Sequence, residues 1–374
     1  MKFSDVIGHE DAKTRLRQAV DTGRIPHAIL LHGPSGIGKT RLARAFAQYV
    51  NCTDRHDGDS CGRCPACRQT AALNNPDIHY VYPIIKKKND HPLSTDFAQE
   101  WKTMLEQHSY MPFEQWQILI DAGNSQPVIY VTESDEIIRV SSLSTYGARY
   151  KIFIIWLPER MNTETANKLL KVIEEPYEDT IFLFVSNNPG SIIPTINSRL
   201  QHIELDPLPA ADIIHYIVGT GKTYEEAEAL ARIARGNMNK ASQLAELGNE
   251  YEEFASLFID VMRASYSRSI AKLRTYADTF AGFGREKSMR LLTYFNRMLR
   301  ESFISNLKVS GLNAMTPAED KFVEKFAPFI NADNIERLMK AVDEAFTDIM
   351  RNANQKIVWF DLMLLITQLI RKPK

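Results

Sequence analysis

The feature that most constrains this chain is the octapeptide Gly33-Pro34-Ser35-Gly36-Ile37-Gly38-Lys39-Thr40. It fits the pattern G-x-x-x-x-G-K-[ST]. In that pattern glycines let backbone N–H groups converge on phosphate oxygens, helped by the N-terminus of the following helix. Such a loop needs a buried strand before it and a helix after it. The apolar run Ala28-Ile29-Leu30-Leu31 precedes it, and a helical pattern extends from Lys39 to about Val50. In a working loop Gly33, Gly36 and Gly38 shape the cradle, Lys39 reaches the β- and γ-phosphates, and Thr40 holds Mg²⁺. The plainer reading is a loop kept for structure, binding nucleotide poorly or not at all. Either way the chain is committed to begin as an α/β domain.

The other strands of such a sheet can be read further along. Residues 78–84 (IHYVYPI) form one, and 202–205 (HIEL) form a short one. Residues 151–156 (KIFIIW) and 180–185 (TIFLFV) are near-continuously apolar, as parallel strands covered on both faces must be. A helix over 163–175 lies between these two and is stopped by Pro176. Residues 128–131 read as extended and 134–146 as helix. Residues 86–127 read as an insertion: a solvated KKKND loop, then helical segments near 94–108 and 112–122, with Trp101 and Trp116 needing something to pack on. From 209 onward the strands stop. Residues 210–246 fit a small helical bundle and 250–374 a larger one, punctuated by Gly282, Gly284, Gly311 and Pro317.

All the cysteines, Cys52, Cys61, Cys64 and Cys67, lie in one polar stretch. The last three are spaced C-x-x-C-x-x-C. Four thiolates close a tetrahedral structural zinc site with no open position, which argues against zinc catalysis. His56 is a competing ligand that four cysteines leave unneeded. The alternative is a set of free thiols, but DRHDGDSCGRCPACR is too polar to be core.

A nucleotide-hydrolysing version of this domain carries an Asp at the end of an apolar strand to hold Mg²⁺, often with a Glu after it to orient water. Here KIFIIW runs into Leu157-Pro158-Glu159, so Trp156 and Leu157 stand at the acid positions. Asp135-Glu136 does not directly follow an apolar strand, and Glu159 falls a few residues too far along. Little or no hydrolysis is expected from this chain alone. Arg199, just before strand 202–205, reads alone as a solvated charge. Its functional alternative is a finger placed against a neighbouring subunit's γ-phosphate.

A length of 374 residues allows two or three domains. Against 45 Lys+Arg stand 46 Asp+Glu, a net charge of −1, so DNA contact would need a local patch. No apolar run approaches the length needed to span a bilayer, and the charged start MKFSDVIGHED does not read as a signal peptide. A cytoplasmic protein with no membrane partner is expected.

Val6-Ile7-Gly8-His9, then IPHAILLHGPSGIGKT, the four cysteines at their spacing, and TANKLLKVIEEPYEDTIFLFVSNNPGSIIPTINSR together resemble the gamma/tau and delta-prime subunits of bacterial clamp loaders, an AAA+ family. The resemblance covers most of 1–246, while 250–374 fits the family's collar by length and composition. It implies an α/β P-loop AAA+ core over 1–207 with a parallel sheet and a zinc module at about 51–68. An all-α lid (208–247) and an all-α collar domain (248–374) follow. Arg199 matches the Arg of the family's Ser-Arg-Cys motif, the trans arginine finger, with Leu200 in place of the Cys. The family's motors keep the strand-end acids and a second-sensor Arg. Here the latter position, in Gly236-Asn237-Met238-Asn239, is Asn239.

A chain with a finger but no motor acids resembles delta-prime, the stationary end subunit. The resemblance then implies partnership with gamma/tau and delta subunits of DNA polymerase III in a hetero-pentamer. That assembly loads the sliding clamp on primer-template DNA during replication. Structural Zn²⁺ is implied, with ATP and Mg²⁺ held, if at all, without hydrolysis, and no polymerase chemistry. Two other readings stand beside it. One is an active gamma/tau-type ATPase, which needs a Mg²⁺-binding acid. The other is a zinc-containing DNA-binding protein with a vestigial phosphate loop, which predicts strong, salt-sensitive DNA binding.

Overall fold

In a computed structural model the described residues are 1–86, 91–108, 110–123, 125–246, 248–308 and 313–370. Most of the KKKND run and Gly311 lie outside them. Five strands, β1 (Ala28–His32), β2 (Ile78–Val81), β3 (Lys151–Trp156), β4 (Thr180–Ser186) and β5 (Gln201–Glu204), pair in parallel in the order β2-β3-β4-β1-β5. Leu30 stands opposite Phe184 on one side and His202 on the other, so the strand feeding the phosphate loop is flanked on both edges. Every residue of β3 and β4 is buried, whereas in the edge strand β5 only Ile203 is. The unbroken apolar runs thus mark strands covered on two faces.

Eight helices accompany the sheet: α1 (Glu10–Asp21), α2 (Lys39–Val50), α3 (Pro65–Ala71), α4 (Ala98–Gln107), α5 (Phe113–Leu119), α6 (Val131–Ser141), α7 (Thr163–Glu174) and α8 (Pro194–Asn197). Because side chains alternate across a strand, Leu30, Phe153, Phe182 and Phe184 share one face. There they pack with Ile137 of α6 and with Leu169 and Ile173 of α7. Helix α2 packs on β1, β3 and β4, with α1 against it. Asn162 starts α7 by accepting the Thr165 N–H at 2.7 Å, and the chain leaves the helix at Glu175, ahead of Pro176. This is the parallel-sheet α/β core expected from the sequence, with the four-cysteine module set between α2 and β2.

Three local readings shift. The strand expected over 78–84 ends at Val81; Pro83 cannot donate to a ladder, and Ile84 instead pairs with Val128 as an isolated antiparallel bridge. The helix expected over 134–146 starts earlier and ends at Ser141. The Asp77 carboxylate accepts the N–H groups of Tyr146, Gly147 and Ala148 (2.7, 3.0 and 2.9 Å), which holds those residues in a turn. The extended stretch at 128–131 shortens to Val128 and Ile129, which bridge Ile84 and Met161.

The chain divides into two compact units: Met1–Tyr216 with Ala234–Ser242, and Ile217–Ile233 with the chain from Gln243 onward. In the second unit, helices Gly248–Tyr266, Ile270–Ala281, Arg285–Asn306, Ile335–Met350 and Gln355–Leu369 surround Phe258, Phe280, Phe295 and Trp359. A buried polar knot in this unit centres on Glu319. Glu319 accepts from the Tyr294 hydroxyl (2.6 Å) and the Thr316 N–H (2.8 Å) and pairs with Arg297. The Thr316 and Glu319 bonds also cap helix Pro317–Phe326. Among the described residues, no helix is long and apolar enough to cross a membrane.

Candidate functional site

The turn from β1 into α2 puts the phosphate loop at the end of an interior strand, where backbone amides can face an anion. Gly36 and Gly38 have φ of 77° and 95°, conformations that side-chain-bearing residues avoid. Their missing side chains matter a second way. A Cβ on Gly36 would fall 2.0 Å from Asn237 Oδ1, and one on Gly38 would fall 3.3 Å from the Tyr110 ring. The Met238 N–H donates to the Gly36 carbonyl at 2.9 Å. Asn237 escaped the sequence reading, which weighed only its neighbour Asn239.

Lys39 is 5% exposed, and its Nζ donates to the carbonyls of Gly33 (2.8 Å) and Pro34. Burial pulls its pKa down to about 7, opposed by the negative charge of Glu159. The space left beside Ser35, Gly38, Lys39 and Thr40 is closed by Tyr110, Met111, Trp156 and Asn187, and amounts to about 10 Å³. That is room for about one water molecule. That space is far smaller than a triphosphate with Mg²⁺.

The end of β3 explains part of the closure. Trp156 is buried at the position of the expected acid, its ring 5.4 Å from Trp101 and 6.2 Å from Phe113. Leu157 takes a left-handed turn (φ 57°), and residues 158–160 form one turn of 3-10 helix. That turn swings Glu159 back. Its Oε1 accepts the Asn187 N–H at 3.0 Å, while its Oε2 is buried with no hydrogen-bond partner among the described residues. Sequence distance alone placed Glu159 too far along, because it counted residues along an extended chain. Asp135 and Glu136 lie on α6, paired with Lys168 and Arg139.

Arg199 does not line this space. It follows α8 with its side chain 36% exposed, paired with Glu174 and donating to the Thr195 carbonyl at 2.6 Å.

The cysteines come together as their spacing suggests. Cys52 follows α2, Cys61 and Cys64 lie on the loop, and Cys67 lies in α3. Their Sγ atoms all lie within 4.8 Å of one another, and the Cys61 and Cys67 sulfurs are 4.0 Å apart. A zinc tetrathiolate with bonds of about 2.3 Å sets sulfurs about 3.8 Å apart, so the donor set fits that ion. Backbone N–H groups of Cys61, Arg63 and Cys64 point at sulfur (3.3, 3.4 and 3.3 Å), which suits thiolates rather than thiols. His56 stands outside the cluster, beside Asp57.

Residues 8–209 match the family described as DNA polymerase III, delta subunit. A delta' subunit of DNA polymerase III from Haemophilus influenzae is 23% identical over 95% of this chain and 94% of its own length. One from Pseudomonas aeruginosa is 30% identical over 55% of this chain and 51% of its own. A gamma/tau subunit from Mycobacterium bovis is 31% identical over 55% of this chain, and the chain spans only 29% of that relative.

Proposed function

Because the chain belongs to the DNA polymerase III delta-subunit family, we propose that it is a delta-prime-type stator of a clamp loader. In this reading it assembles with gamma/tau and delta subunits in the cytoplasm and helps load a sliding clamp on primed DNA. It hydrolyses no ATP itself, and it lends Arg199 to a neighbour's ATP site. The observation that carries the reading is the end of β3, where a buried indole occupies the place of the Mg²⁺-binding acid. An exposed guanidinium remains as a contribution the chain can still make to nucleotide chemistry.

At rest that guanidinium is tied to Glu174. Both partners are well exposed, and exposed ion pairs contribute only about 0–1 kcal/mol, so a neighbour's γ-phosphate can draw it away at little cost. Cys52, Cys61, Cys64 and Cys67 would hold a structural Zn²⁺, which supplies cross-linking and no chemistry, since four thiolates leave no open position.

The test is reconstitution with the gamma/tau and delta subunits of the same organism. Arg199→Ala should assemble normally and slow the DNA-stimulated ATPase, with the served site losing roughly 10³-fold, the lower end of what arginine fingers supply. Unchanged turnover would sink the finger role.

A second reading, an active motor, draws on Glu159, the acid that faces Lys39 with one oxygen unpaired. It requires ATP turnover by the isolated chain that Glu159→Gln removes. On the stator reading neither form turns over ATP above background.

A further inference from the structure

The helical part of the 86–127 insertion, residues 94–122, has no part in the reading above, yet it places Tyr110 and Met111 beside the phosphate loop. Its two helices are anchored away from that loop. The Trp116 indole N–H donates to the Pro83 carbonyl at 2.7 Å, and the Trp101 ring stacks on Tyr82 at 4.0 Å. Trp116 in turn meets Trp101 edge-on at 5.4 Å. Between the anchored helices the chain must turn, and Met111 does so with φ 50°, its N–H bonded to the His108 carbonyl at 2.8 Å. This turn delivers Tyr110 and Met111 to the mouth of the loop.

Two cations beside the loop, Lys39 and Arg41, are already engaged within the chain. The Tyr110 ring lies against Gly38, the residue at the start of α2. The Arg41 guanidinium sits over that ring, 5.4 Å from its centroid, and also donates to the Asp5 carbonyl at 2.7 Å. Lys39 spends its protons on Gly33 and Pro34. The Tyr110 hydroxyl is buried without a hydrogen bond, so packing and the Arg41 cation hold the ring, not a polar latch.

We propose that the 94–122 insertion is an internal plug: Tyr110 and Met111 occupy the place of the nucleotide's phosphates and keep the phosphate loop in a nucleotide-free shape. The loop's own sequence remains competent to take an ATP·Mg²⁺ complex once the plug is withdrawn. This stands on packing geometry and does not depend on whether the chain is a stator.

The experiment is equilibrium dialysis of labelled ATP with Mg²⁺ against the purified full chain and its variants. Near-ultraviolet circular dichroism checks that each variant is folded. The wild-type chain should bind no ATP below millimolar concentration. Tyr110→Ala with Met111→Ala should bind at least tenfold more tightly, and adding Lys39→Ala should abolish the gain. Tyr110→Phe keeps the ring and should behave as wild type. Should the double variant not fold, Arg41→Ala removes the cation that helps hold the ring, leaves Tyr110 and Met111 themselves in place, and should give a smaller gain of the same sign. Micromolar binding by the wild-type chain would overturn the plug. So would a folded, unplugged variant that still fails to bind, since the block would then lie in the loop itself.

Discussion

Lys39 shows how much a single charge depends on what surrounds it. Its ammonium is buried against two loop carbonyls, and burial lowers its pKa to about 7, against about 10.4 in an unfolded chain. Between those values the unfolded chain binds a proton that the folded one does not, so the fold gains stability as pH rises through that window. Below about pH 7 both states are protonated and the cost of burying the charge is fully felt. Lys39→Met keeps the length of the side chain and removes the titration. Measured as unfolding free energy, the wild-type chain should therefore gain on this variant by about 2–4 kcal/mol between pH 7 and pH 10. A gap that stays constant across the range would mean that Lys39 keeps an ordinary pKa and that the loop is open to solvent. The same residue also marks a limit of motif reading. The octapeptide identifies a lysine able to meet phosphate, but its engagement with its own loop depends on Tyr110 and Asn237, distant in sequence and unmarked by any spacing rule.

The four-cysteine module links helices α2 and α3, and it also holds the start of the chain. The Asp59 carboxylate accepts the backbone N–H groups of Phe3 and Ser4, each at 2.9 Å, and Gln48 of α2 donates to the Ser60 hydroxyl at 2.7 Å. If four thiolates hold the ion, its loss frees the loop, the chain start and the end of α2 together. One zinc per chain should be released by a thiol-modifying mercurial. Chelation or Cys67→Ser should lower the stability of the sheet-bearing unit by several kcal/mol, read by thermal unfolding with metal content assayed in parallel. A chain that melts alike with and without metal would reduce the cluster to free thiols. At this scale much was legible in advance. The strand 151–156 and the helix beginning at Lys39 came from apolar pattern and glycine placement, and the cysteine cluster came from spacing. What escaped was set by long-range hydrogen bonds. Asp77, far along the chain from residues 146–148, decides where α6 gives way to a turn. The left-handed turn at Leu157 brings back an acid that linear counting had dismissed.

For the whole chain, the remaining question is whether the four-cysteine module and phosphate loop belong to a DNA-binding protein instead. The family match covers residues 8–209, and a delta' relative is matched along nearly the whole chain, so the sequence relationship extends beyond the cysteine module and phosphate loop. Charge gives an independent argument. Sequence-independent DNA affinity comes from cations that release counterions from phosphate, and each such contact steepens the salt dependence by roughly one unit in log K against log salt. With 45 basic and 46 acidic side chains the chain has no excess to spend. Some of its arginines are also committed internally: Arg290 to Glu250 and Arg297 to Glu319. The isolated chain should therefore shift a primer-template duplex only weakly at about 50 mM salt, with a shallow salt slope, while a reconstituted complex binds it strongly. Tight binding by the isolated chain that collapses by about 200 mM salt would reveal a basic surface that net charge conceals, and would favour the DNA-binding reading. Weak binding alone, followed by strong binding in the complex, would place DNA contact in the assembly, as the proposed stator role requires.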